Sequence, residues 1–149
     1  MGQSAAERGP GADRLKHLPA LELLLDTTVL IDALRGRVAA QRLHTLRRSD
    51  RPPWVCAINV EELMRGARER DEEIVQRFLG GLRLAPLGSA EGERAGRWRR
   101  DYARRGIALS QADCLIAAAA VGVGARLATG NGKHFPMDEL TVEEWPVGA

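Results

Sequence analysis

"LELLLDTTVLID", residues 21–32, decides how the rest of the chain is read. Four of its first five residues are apolar; Asp26, Thr27 and Thr28 then break the run, and apolar residues resume at Val29. A short apolar run ahead of polar residues is the pattern of a buried strand, here Leu21 to Leu25. "TVLIDALRG" continues as a short helix closed by Gly36. A carboxylate at that junction has two readings. One is local, a cap on the strand-to-helix turn. The other is chemical, an acid held at the rim of a sheet to bind a cation.

The segments further along repeat this alternation. "VAAQRLHTLRR" gives a second helix with Val38, Leu43 and Leu46 available to a core, and Pro52-Pro53 ends it. "WVCA" is a second strand. In "INVEELMRGARER", Val60, Leu63, Met64 and Ala67 fall at the i, i+3, i+4, i+7 spacing of an amphipathic helix, with Asn59 as its expected N-cap. "EEIVQRFLGGL" continues as helix, "RLAPL" is a third strand, and the basic stretch from Ser89 to Arg105 is a long helix. "LSQADCLIAAAAVGVG" opens on Ser110 as N-cap. "ARLAT" is a fourth strand, "GNGKHFP" a turn and "LTVEEW" a short last strand. Strands alternating with helices predict a three-layer α/β/α sandwich around a central, mainly parallel sheet.

A chain of 149 residues is most simply one domain, large enough to bury a core without disulfides or metal staples. No run of eighteen apolar residues exists, so a membrane span is not expected. The balance of 22 Lys+Arg against 20 Asp+Glu neither demands nor excludes a nucleic-acid partner. Cys56 and Cys114 read as small buried thiols suited to a reducing cytosol, which places the protein in the cytoplasm. Residues 1–20 lack the apolar segment of a secretory signal, and Ala6 stands where a myristoylation motif needs Ser or Thr. They read as a flexible N-terminal tail, leaving residues 21–149 as the domain.

In open parallel sheets, ligands bind beyond the carboxyl ends of the strands. The polar residues there are Asp26, Thr27 and Thr28 after the first strand; Asn59, Glu61 and Glu62 after the second; Asp113 at the start of the alanine-rich helix; and Thr129 and Asn131 after the fourth. Converging carboxylates repel: two charges ~4 Å apart cost about 4 kcal/mol at an effective dielectric near 20. A cation relieves that cost. Mg²⁺ or Mn²⁺ suits such a set, because hard ions take oxygen ligands and keep several waters.

"LLLDTTVLID", "INVEELMRG", "LSQADCLIAAAA" and "LATGNGKHF" resemble, in order and spacing, the motifs of PIN-domain ribonucleases, and most of all the VapC-type toxins of type II toxin–antitoxin pairs. The resemblance runs over about residues 22–135 and makes residues 21–149 a PIN-like nuclease domain. It implies that Asp26, Glu62 and Asp113 are catalytic acids holding Mg²⁺ (or Mn²⁺), with Asn131 where many members carry a fourth acid. Thr28 and Thr129 match hydroxyl positions that line the site. It also implies RNA as substrate, a cognate antitoxin as partner, and a homodimer. From the residues alone, Glu61 and Glu62 are equivalent candidates; the resemblance selects Glu62.

Each acid also has a structural reading. Asp26 caps a helix, Glu62 follows Asn59 in a near capping box, and Asp113 follows Ser110 in an S-x-x-D cap. Asp32 reads as solvated. Asn131 supplies an oxygen without charge, which leaves Asp138 as a substitute if the loop folds back, and His134 as a phosphate contact or a plain loop residue. On the basic helix, Trp98 and Tyr102 are spaced to pack inward, while its arginines suit either solvent or phosphate. Two further functions remain open: an RNA-processing nuclease outside a toxin–antitoxin pair, and a non-catalytic PIN-like interaction module. Phosphatases with an Asp-x-Asp nucleophile are disfavoured by Thr28.

Overall fold

The computed structural model describes residues 22–148. The reading of residues 1–20 as a flexible tail lies outside these. Strand β1 (Leu23–Leu25) leads into α1 (Thr27–Leu34) and α2 (Val38–Arg47), then β2 (Trp54–Val55), α3 (Ala57–Gly66) and α4 (Glu72–Leu79). Strand β3 (Arg83–Leu84), α5 (Ser89–Ala103), α6 (Gln111–Gly122), β4 (Arg126–Thr129) and β5 (Val142–Glu144) complete the chain. The sheet order is β3-β2-β1-β4-β5, and every pairing is parallel. The chain grows the sheet in one direction through β3, then returns to the other side of β1 for β4 and β5.

That reversal puts the helices on both faces, as a constant crossover hand requires. The pleat of β1 sorts its three leucines accordingly. Leu24 faces Trp98, Tyr102, Cys114, Ile116 and Leu127 in one core, beneath α5 and α6. Leu23 and Leu25 face Val29, Leu43, Leu63 and Trp145 in the other, beneath α1 to α4. Helix α6 is buried along almost its whole length because alanines let it lie close against both the sheet and α5. Trp98 and Tyr102 pack inward as their spacing predicts, and both cysteines are buried free thiols. No helix among the described residues is long and apolar enough to cross a membrane.

Three sequence expectations need correction. Val38 is 52% exposed and Ala39 takes its place in the core, because α2 begins one residue before its buried stripe. Asp32 is not solvated but 4% exposed, with both carboxylate oxygens used: Oδ2 accepts from the Ala39 N–H at 2.8 Å and Oδ1 from the Gly148 N–H at 2.7 Å. It ties α1 to α2 and to the C-terminal segment. Helix α3 starts at Ala57 with Cys56 as its N-cap, so Asn59 lies inside the first turn. There the Asn59 carboxamide oxygen accepts from the Cys56 N–H at 2.8 Å. The cap falls earlier because this reciprocal bond satisfies helix-start donors that an Asn59 N-cap would leave to water.

Candidate active site

Strands β1 and β4 are the neighbours between which sheet growth reverses, so their carboxyl ends flank the switch-point crevice. Asp26 leaves the end of β1 with its N–H still bonded to the Ala128 carbonyl at 2.8 Å, so its side chain is fixed beside the end of β4. Asp26 occupies the N-cap position of α1 and its backbone carbonyl accepts from Val29 and Leu30, but its carboxylate caps nothing. The local reading of this acid therefore fails.

Instead, Asp26 Oδ2 accepts two hydroxyls: Thr129 at 2.7 Å and Thr28 at 3.0 Å. Each hydroxyl is oriented by a backbone donor. The Asn131 N–H reaches Thr129 Oγ1 at 3.0 Å, and the Gly130 N–H reaches Thr28 Oγ1 at 3.1 Å. Having accepted an N–H, each hydroxyl points its single proton at Asp26. Among the described residues no donor reaches Asp26 Oδ1 and no cationic side chain pairs with Asp26, although the residue is only 5% exposed. A buried carboxylate with one free oxygen and no counter-charge is the arrangement that a bound cation would complete.

Glu62 lies in the second turn of α3 and accepts the Thr27 hydroxyl on Oε1 at 2.6 Å. The capping-box reading of Glu62 fails, since the N-cap is Cys56. Glu61 is exposed and forms an ion pair with Arg65 at 2.9 Å, which removes it from the site. Burial raises the pKa of the buried Cys56 thiol; backbone hydrogen bonds from Asn59 and Ile58 oppose this, and the charges of Glu62 and Asp26 add to the rise.

Asp113 stands in the first turn of α6, its N–H donating to Ser110 Oγ at 3.0 Å, so capping and exposure to the crevice coexist. Burial holds its carboxyl above the ordinary carboxylate range; the Ser110 bond opposes this, the charge of Asp26 reinforces it, and His134 opposes it. His134 Nδ1 is 3.5 Å from Asp113 Oδ2, and the Asn131 carboxamide nitrogen lies 3.1 Å from His134 Nε2. Asn131 thus faces His134 through its side chain and holds Thr129 through its backbone. Asp138 is exposed, and among the described residues it makes no hydrogen bond or ion pair with these groups.

Among the described residues no three His, Cys, Asp or Glu side chains form a compact metal-ligand group. The donor set still fits a hard ion that retains several waters: three carboxylates from α1, α3 and α6, hydroxyls behind them, and no thiolate free to compete. The sequence puts Thr27 at this rim without indicating its bond to Glu62, and the expected cap at Asn59 falls at Cys56 instead. The arginines of α5 are largely matched within the protein, Arg94 with Glu139, Arg97 with Glu93, and Arg100 and Arg104 with Asp101.

Comparison with known proteins identifies the family of this fold. The PIN domain family model matches residues 23–138. Ribonuclease VapC10 of Mycobacterium tuberculosis is 38% identical over 117 residues, covering 78% of this chain and 88% of the relative. Ribonuclease VapC19 of the same organism is 32% identical over 115 residues, covering 76% and 92%. In fold, the chain is similar to the crystal structure of VapBC2 from Rickettsia felis bound to a DNA fragment from its promoter. That match has a TM-score of 0.73 at 22% identity, covering 84% of this chain and 99% of that one. From the extent of the family match and the identity to these relatives, the chain belongs to the PIN-domain family, among the VapC ribonucleases.

Proposed function

We propose that this protein is a metal-dependent endoribonuclease acting in the cytoplasm as the toxin of a toxin–antitoxin pair. The observation that carries this reading is Asp26: buried, ionisable, held on one oxygen by two oriented hydroxyls, and without a cationic partner among the described residues. Asp26, Glu62 and Asp113 would hold Mg²⁺ or Mn²⁺. A bound divalent ion supplies water activation and charge neutralisation for hydrolysis of an RNA phosphodiester.

The protein's own residues prepare that site. Thr28 and Thr129 hold Asp26 by Oδ2 and leave Oδ1 for the ion. Burial raises the Asp113 pKa, so this acid gives up its proton less readily than an exposed aspartate. Asn131 orients Thr129 from its backbone while its neutral side chain adds no fourth charge.

An antitoxin partner is favoured by the likeness of the fold to VapBC complexes and by a groove of about 570 Å³ between α1, α3 and α4. Ile31, Leu34, Ala67 and Ile74 line it, with Ile74 57% exposed, together with Glu62 and the cationic Arg35 and Arg68. An apolar segment carrying a basic residue would match both features, filling the groove and neutralising the acids. The protein is also proposed to act as a homodimer. The test is incubation of a mixed RNA pool with the protein plus Mg²⁺, Mn²⁺ or a chelator. Cleavage that is lost with the chelator and in Asp26→Ala supports the assignment; metal-independent cleavage, or growth arrest by Asp26→Ala, refutes it.

A further inference from the structure

Two of the three threonine hydroxyls at this rim hold Asp26; the third, Thr27, holds Glu62. We infer that Thr27 and Asn59 are positioning residues for Glu62, forming a directional relay that sets where this acid meets the metal ion. The inference rests on the metal-site reading above and concerns only how Glu62 is aimed.

The direction of the relay follows from the donors and acceptors. The Cys56 N–H donates to the Asn59 carboxamide oxygen at 2.8 Å, which fixes which end of the amide is oxygen. The amide nitrogen then donates to Thr27 Oγ1 at 3.0 Å. Having accepted that bond, the Thr27 hydroxyl directs its one proton to Glu62 Oε1, 2.6 Å away. Asn59 is fully buried, so water cannot take the place of either partner. Glu62 itself is only half-buried, on a side chain with three torsions, and would otherwise choose among several rotamers. Holding Oε1 leaves Oε2 as the oxygen available to a ligand. The relay also joins the two helices that carry the acids, since Thr27 opens α1 next to Asp26 while Asn59 and Glu62 belong to α3.

A merely structural tie between α1 and α3 would affect stability and leave ion binding alone. The two roles separate in Mn²⁺ titrations of the full-length protein, followed by the paramagnetic resonance signal of free Mn²⁺, which needs no RNA. Thr27→Val keeps the shape and deletes the hydroxyl; it is expected to weaken Mn²⁺ binding on the order of 10-fold, the usual effect of losing a partner behind a metal ligand. Thr27→Ser keeps the hydroxyl and restores wild-type affinity. At saturating Mn²⁺, KM for RNA stays at its wild-type value in both. Wild-type Mn²⁺ affinity in Thr27→Val overturns the inference, provided Glu62→Gln weakens binding in the same assay. If Thr27→Val and Thr27→Ala both fail to fold while Thr27→Ser folds, the hydroxyl is a structural tie and the inference is likewise overturned. Absence of Mn²⁺ binding by the wild-type protein would instead sink the metal-site reading itself.

Discussion

Replacing Asp26 by Asn separates the cost of burying a charge from its use. The carboxylate accepts two hydroxyl bonds, at 2.7 and 3.0 Å, and among the described residues it has no cationic partner. Two hydrogen bonds to a charged acceptor contribute roughly 3–6 kcal/mol together, and an amide oxygen accepting the same hydroxyls retains about 1–3 kcal/mol. The loss is therefore about 2–3 kcal/mol. Against it stands the desolvation of a buried ion, which amounts to several kcal/mol. In metal-free buffer, Asp26→Asn is expected to be as stable as the wild type or more stable by about 1–2 kcal/mol. For a domain of this size that is a rise in Tm of up to about 5–8 °C. Mn²⁺ at about 100 times its Kd should add about 2.7 kcal/mol to the wild type and almost nothing to the variant. The assay is thermal unfolding by circular dichroism, with chelator and with Mn²⁺, beside RNA cleavage. If Asp26→Asn were clearly less stable than the wild type without metal, yet still stabilised by Mn²⁺, Asp26 would be a structural acid and the reasoning would fail.

Thr129→Val removes a fully buried hydroxyl that serves Asp26 and the Asn131 N–H; a loss of about 2–4 kcal/mol is expected in denaturant unfolding, together with weaker Mn²⁺ binding. Burial raises the Asp113 pKa above its unfolded value, so protonation favours the folded state: in the apoprotein this contribution is complete below the unfolded value and fades as pH rises through the folded one. Mn²⁺ affinity should accordingly fall on acidification at a higher pH than an unshifted aspartate would give, and Asp113→Asn should abolish that limb of the titration. Asp32 has the opposite sign. Backbone bonds from Ala39 and Gly148 hold its pKa low, so its contribution is full above the unfolded value and is lost as pH falls through the lowered one; Asp32→Ala should flatten the acid side of the unfolding curve. Ile74→Asp should abolish neutralisation by the antitoxin in a co-expression growth assay while leaving RNA cleavage at the wild-type rate.

Periodicity and punctuation made the layers legible. The order of strands and helices, the inward Trp98 and Tyr102, and the cap at Ser110 all follow from local pattern, and local pattern is what those elements depend on. The three acids are singled out together only through the family resemblance, because their separation in sequence carries no sign of a shared place. Two misreadings share one cause. Asn59 and Asp32 were judged by local rules, capping preference and the exposed side of a helix, whereas their positions depend on partners elsewhere in the chain. Asn59 meets Thr27, 32 residues away, and Asp32 meets Gly148, 116 residues away. No pattern within a helical window contains such a partner.

Asp32 and Asp26 also differ in the way that would distinguish a structural acid from the proposed metal-binding one. Both belong to the α1 region and both are almost fully buried, so neither burial nor secondary structure tells them apart. Their acceptor accounting does. Each oxygen of Asp32 takes a backbone N–H, which compensates its charge and leaves nothing for a ligand. Asp26 has both donors on Oδ2, and Oδ1 has no partner among the described residues. Folding alone would favour spreading two donors over two oxygens. Crowding them onto one leaves the other unused, as the proposed cation ligand requires, and Glu62, held by Thr27 on Oε1, shows the same one-sided pattern.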